Sequence, residues 1–293
     1  MSPVGRTAPA PKNRPRIGVV LGGEGIKAFA ALPLIEHLQA ARIVPDLVVG
    51  CSGGALLAAL WGCGYDIPAI SRLLLQAVNW GMYSEVDQEA LLGISRHDEA
   101  RFGQGQAIFK PGRLQQTYRA IFKEALIEDL SPRTVLCSTD LLAGAPFVME
   151  FGPVADFVYA SGAVFPLMPP LRVDKMLLAD GAFFSPLPVM EAVRRNMDVI
   201  IAVWFDDPAK AEPKGFAECA ANVGRVFRRA LVESQLPMAI DMHSYEIIPL
   251  VVRHDKPIQP WEADRLPEII NRGRLEVQAK APQIKDAIAQ FGA

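Results

Sequence analysis

An α/β fold with a parallel sheet covered on both faces is predicted by three features of the first fifty residues past the N-terminal stretch. Ile17–Leu21 is a short β-branched and apolar run bounded by glycines, which reads as a buried strand. Residues 26–41 place Phe29, Leu32, Ile35 and Leu38 at helical spacing, with Lys27 and Glu36 elsewhere, as an amphipathic helix does. Residues 47–50 then form a second buried strand, and residues 55–61 a second helix closed near Gly62. Strand, helix, strand, helix in this order requires parallel strands and crossover helices.

Downstream, helices are expected over residues 67–78 and 112–129. Two strands at 133–139 and 145–151 are joined by a turn at Ala143 and Gly144. A strand at 198–204, a long helix at 216–236, a last strand at 246–252 and a mostly helical stretch at 261–291 complete the chain. No repeat or Gly/Ser linker divides it, so one domain over 16–293 is expected, preceded by a disordered lead-in over 1–15. That lead-in is polar, Pro-rich and basic without an apolar core, unlike a secretory signal.

Composition narrows the function classes. The 293 residues are 51% hydrophobic and 21% charged, with a formal net charge of −2, which gives no field for nucleic acid as a partner. Cys51, Cys63, Cys137 and Cys219 form no Cys-x-x-Cys pair, so neither a disulfide framework nor a zinc site is indicated, and a reducing cytoplasm fits. No metal or cofactor is expected, because no cluster has ligand spacing. Residues 47–65 carry no charge over 19 positions, about the length of a membrane span. Five glycines interrupt them, which favours a buried strand running into a buried helix.

Gly50-Cys51-Ser52-Gly53-Gly54 is a Gly-x-Ser-x-Gly elbow between a predicted strand and a predicted helix. In that setting a sharp turn presents the serine hydroxyl above the sheet, and the helix N-terminus adds free N–H groups where negative charge develops. Cys51 reads as a small buried residue. Gly22-Gly23-Glu24-Gly25 follows the first strand in the same way, and its N–H groups can converge on an acyl oxyanion or a phosphate. Gly23-x-Gly25-x-x-Ala28 also fits a dinucleotide fingerprint, but the second strand does not end in the acidic residue that motif needs. A serine nucleophile needs a base. His37, His97, His243 and His254 all sit in helical or polar contexts that surface or capping roles explain. Asp180, between Met176-Leu177-Leu178-Ala179 and Gly181-Ala182-Phe183, reads either as a turn residue or as a desolvated base.

Taken together, these segments resemble the patatin-like phospholipase family over residues 17–204. The family's Gly-rich loop is similar to residues 22–28, its nucleophile motif to Gly50 through Gly54, and its Ala-Ser and Pro-rich segment to residues 160–170. Its Asp-Gly-Gly or Asp-Gly-Ala motif is similar to Asp180-Gly181-Ala182. The resemblance implies a three-layer α/β/α fold with a mostly parallel central sheet. It also implies a Ser52–Asp180 dyad without histidine, acting through an acyl-enzyme on phospholipids, lysophospholipids or related acyl esters. The backbone of Gly22, Gly23, Glu24, Gly25 and Ile26 would form the oxyanion hole. A lipid substrate, and transient contact with a membrane surface, are the partners so implied. Glu24 and Ala28 depart from the family loop, and a carboxylate at 24 either opposes the charge the loop should stabilise, or faces solvent or pairs with Lys27 three residues on and leaves the N–H groups free. Two rival readings follow, a catalytically weakened acyl-binding protein and a nucleotide-binding protein. Phe165, Leu167 and Phe183 lie close to the motifs in sequence and read either as an acyl-chain pocket or as core.

Overall fold

The computed structural model describes residues 14–79, 85–88, 90, 106–206, 208–259 and 262–291. The expected lead-in falls almost wholly outside them, as does His97. The strands are β1 (Ile17–Leu21), β2 (Leu47–Cys51), β3 (Thr134–Asp140), β4 (Ala145–Met149), β5 (Leu171–Val173), β6 (Met176–Asp180), β7 (Val199–Asp206) and β8 (Glu246–Arg253). The α-helices are α1 (Leu32–Ala40), α2 (Gly53–Gly62), α3 (Ile67–Asn79), α4 (Gly112–Phe122), α5 (Val154–Ser161), α6 (Val189–Arg194), α7 (Gly215–Met242) and α8 (Leu266–Ala289).

The eight strands form one sheet in the order β5-β6-β3-β2-β1-β7-β8, with β4 also on β3. The pairings β1–β2, β1–β7, β2–β3 and β7–β8 are parallel, while β3–β4, β3–β6 and β5–β6 are antiparallel. Every residue of β1 and β2 is buried, as strands covered on both faces must be. Val19, Leu21 and Val48 point into a core with α1, α2, α5 and α8, whereas Val20, Val49 and Cys51 point into a second core with α6 and α7. The fold is therefore the predicted three-layer arrangement. The uncharged stretch at 47–65 is β2 running into α2, and among the described residues no helix is long and apolar enough to cross a membrane.

Three expectations needed correction. Residues 26–41 are two elements, a 3₁₀ segment over Gly25–Ala31 and then α1, because Pro33 has no N–H to continue an α-helix from upstream. The helix expected over 112–129 ends at Phe122, where Lys123 takes a φ of 50° and turns the chain. The long helix runs on past Pro237 to Met242.

The C-terminal helix α8 seats against the 3₁₀ segment through a close backbone approach. A methyl group on Gly273 would meet the Ala30 carbonyl oxygen at 1.9 Å. Gly273→Ala is expected to lower unfolding free energy by about 1–3 kcal/mol, as overpacking does. Urea denaturation measures this, and an unchanged midpoint would contradict the close seat.

Candidate active site

Strand β3 brings the two sequence motifs together. β4 occupies one of its edges from Leu136 to Asp140. On the other edge, β2 pairs with it up to Cys51↔Cys137, and β6 takes over from Asp180↔Ser138. The ends of β2 and β6 thus abut at neighbouring residues of β3, which places Ser52 beside Asp180 across 128 residues of sequence.

At the end of β2 the chain turns sharply. Ser52 has φ 51° and ψ −119°, a left-handed conformation that a non-glycine residue adopts at an energetic cost. The turn is packed backbone to backbone against the loop after β1: a Cβ on Gly53 would meet the Gly25 carbonyl at 2.2 Å, and one on Gly54 the Leu21 carbonyl at 2.2 Å. Glycine is required at both positions by this approach. The Ser52 N–H donates to Ser161 Oγ at 2.9 Å, and that hydroxyl donates to the Cys137 carbonyl at 2.6 Å. Ser161, fully buried at the end of α5, so bridges the gap where β2 leaves β3.

The Ser52 hydroxyl donates to Asp180 Oδ2 at 2.7 Å, and the other carboxylate oxygen accepts the Ala182 N–H at 2.7 Å. Asp180 is 1% exposed. Burial raises its pKa to about 6 against the opposing pull of the Ser52 and Ala182 hydrogen bonds; Arg228 lowers it and Glu24 raises it. Burial pushes the neighbouring Cys51 thiol well up, so it stays protonated and is no rival nucleophile.

Two features of the loop after β1 refine the expectations for it. The Gly22 N–H donates to Val203 O at 3.0 Å and the Gly23 N–H to Pro186 O at 2.8 Å. These amides hold the loop to its neighbours, which narrows the candidate oxyanion donors to Glu24, Gly25 and Ile26, together with Gly53 at the start of α2. Glu24, for its part, does not present an unopposed charge. Its side chain is 6% exposed and meets Lys27 Nζ at 2.8 Å and Arg228 Nε at 2.5 Å. Burial acts to raise its pKa, but the two cations outweigh that and hold the carboxyl below its usual range.

Phe165 and Phe183 are exposed rather than core, at 38% and 45%, and Leu167 is half-buried. Gln235 of α7 ties this region down, donating to Phe184 O and accepting from the Ser185 hydroxyl, both at 2.8 Å. His243 Nε2 lies 2.8 Å from the Asp198 carbonyl, which precedes β7 and so sits at the opposite end of the parallel strands from Ser52. His254 is buried beyond β8, its backbone N–H on Asp206 O, and not at the surface as its polar surroundings suggested. Among the described residues no cluster of His, Cys, Asp or Glu side chains could hold a metal ion. Two residues of the site had no assigned role in the sequence reading. Ser161 sits inside a quoted motif but acts through backbone groups, and Arg228 lies 204 residues from its partner.

The family model for patatin-like phospholipases matches residues 19–193, more than half of the chain. The chain belongs to the patatin-like phospholipase family. It is 27% identical over 192 residues to the lysophospholipase NTE1 of Candida glabrata, covering 64% of this chain and 10% of that protein. It is 30% identical over 209 residues to an uncharacterized NTE family protein of Mycobacterium bovis, covering 70% of this chain and 54% of that one. The chain thus spans only a part of these relatives. Among solved structures, VipD of Legionella pneumophila shares the fold at a TM-score of 0.51 and 13% identity, over 92% of this chain and 66% of that one.

The Ser161 bridge makes a direct prediction. Ser161→Ala leaves the Ser52 N–H and the Cys137 carbonyl without their partner, and buried groups so orphaned cost about 1–3 kcal/mol. Denaturant unfolding is expected to show that loss, and an unaltered midpoint would show that the bridge contributes nothing.

Proposed function

We propose that this chain is a serine acyl hydrolase that cleaves carboxylic esters of phospholipids, lysophospholipids or related acyl lipids. The observation that carries the reading is the 2.7 Å hydrogen bond from Ser52 to a buried carboxylate whose pKa is raised to about 6. A carboxylate so placed is ionised at neutral pH yet basic enough to take a hydroxyl proton.

In this mechanism Ser52 Oγ forms a bond to the ester carbonyl carbon as its proton passes to Asp180. The N–H groups of Glu24, Gly25, Ile26 and Gly53 receive the oxyanion. The carbon–oxygen bond to the leaving alcohol then breaks, and Asp180 returns the proton to that alcohol. Water, deprotonated by Asp180, attacks the acyl-enzyme, and the proton goes back to Ser52 as the fatty acid departs. The lipid character of the substrate rests on family membership and on the lysophospholipase named among the relatives. The exposed Phe165, Phe183 and Phe184 supply an apolar lip suited to an acyl chain or a lipid surface. The rival acyl-binding reading drew on an unpaired charge at Glu24, and the two cations beside it remove that ground. The rival nucleotide reading drew on Gly22 to Gly25, and the N–H groups of Gly22 and Gly23 are already engaged by Val203 and Pro186.

Hydrolysis of a short p-nitrophenyl ester tests the proposal. Ser52→Ala and Asp180→Asn are each expected to lose about 10⁴- to 10⁶-fold in turnover, while His243→Ala and His254→Ala keep activity. Because the base must be deprotonated, kcat/KM is expected to rise with pH through an apparent pKa of about 6. A folded His243→Ala or His254→Ala variant as inactive as Ser52→Ala would overturn the dyad.

A further inference from the structure

Beyond residue 193, where the family match ends, the chain adds one charged side chain to the site. Arg228 lies midway along α7, a 28-residue helix whose described side chains are buried only at Val232 and Ala239. Its guanidinium donates to Glu24 at two points, Nε to Oε1 at 2.5 Å and Nη2 to Oε2 at 3.3 Å. Glu24 sits between two residues that touch the elbow. A Cβ on Gly23 would meet Ser52 Cβ at 3.0 Å, and Gly25, at φ +57°, lays its carbonyl against Gly53. The carboxylate is therefore anchored inside the stretch of backbone that carries the candidate oxyanion donors.

An ionised group buried there needs a fixed cation, since burial without a partner is far more costly than burial with one. Lys27 offers a single ammonium on a flexible stem. Arg228 offers a planar fork that holds both carboxylate oxygens and so fixes their direction. We propose that Arg228 is a positioning residue of the active site: it neutralises and orients Glu24, and through it sets the backbone of residues 24–26 that faces the oxyanion. The geometry of the hole then depends on the seating of α7, which Gln235 and the Arg229–Asp206 pair also hold. This inference rests on the proposed roles of Ser52 and Asp180.

The groups that act on Asp180 are the Ser52 hydroxyl, the Ala182 N–H, Arg228 and Glu24, with the Cys51 thiol adjoining. Removing Arg228 therefore moves the acid limb of the pH profile up, and removing Glu24 moves it down. A merely structural residue would do neither.

The test uses the full chain, with a short p-nitrophenyl ester as substrate and a fluorophosphonate as a label for Ser52, and Ser52→Ala as the blank. Arg228→Gln is expected to lower kcat and the labelling rate by at least about tenfold, within the 10²- to 10³-fold that loss of one oxyanion donor costs. KM for the short ester stays near that of the wild type and the acid limb shifts upward. Arg228→Lys retains an intermediate rate. Wild-type kinetics and pH profile in Arg228→Gln would overturn the inference while leaving the dyad intact. A wild type that neither cleaves the ester nor takes the label at Ser52 would overturn the hydrolase reading and this inference with it.

Discussion

β3 gives one edge to two strands in succession, β2 as far as Cys137 and β6 from Ser138 onward. Strands cannot overlap on one edge, so the end of β2 must turn away where β6 arrives. The turn is the elbow at Ser52, and the arriving residue is Asp180. The strained backbone at Ser52, the glycines at 53 and 54, and the hydroxyl bridge of Ser161 all follow from that junction. Each supplies contact or hydrogen bonding where the regular ladder is interrupted.

The junction lies deep in the sheet, and its second consequence is electrostatic. Two carboxylates, Asp180 and Glu24, are buried near each other. Their environments push them apart. Among the described residues, Asp180 accepts from two neutral donors, the Ser52 hydroxyl and the Ala182 N–H, and rises to about 6, whereas Glu24 has two cations in contact and stays ionised. One becomes a base near neutrality and the other a fixed charge in the loop. Arg228 connects the two, through contact with Glu24 and through its field at Asp180.

Much of this was legible in the sequence because it is local. The β1–α1–β2–α2 order followed from apolar periodicity, and Ser52 from an elbow set between a strand and a helix. β5, with three residues, and β6, with two of its five residues only partly buried, leave too little alternation to read as strands. Without them Asp180 could equally have been a turn residue, until four motifs were read together. The use of the Gly22 and Gly23 amides could not be read, because their acceptors, Val203 and Pro186, come from distant segments. The same distance hid Arg228, whereas the pairing of Glu24 with Lys27 could be read as one of two alternatives because it spans only three residues.

In the proposed mechanism, burial at the β2–β6 junction makes Asp180 a base, held in place by the Ser52 hydroxyl. NMR titration of the Asp180 carboxyl carbon, in aspartate-labelled wild type and in Ser52→Ala, measures this without any substrate. A midpoint of about 6 is expected in the wild type, moved higher in Ser52→Ala, since the lost hydrogen bond favours the ionised form. A midpoint near the ordinary aspartate value of about 3.9 in both proteins would contradict it.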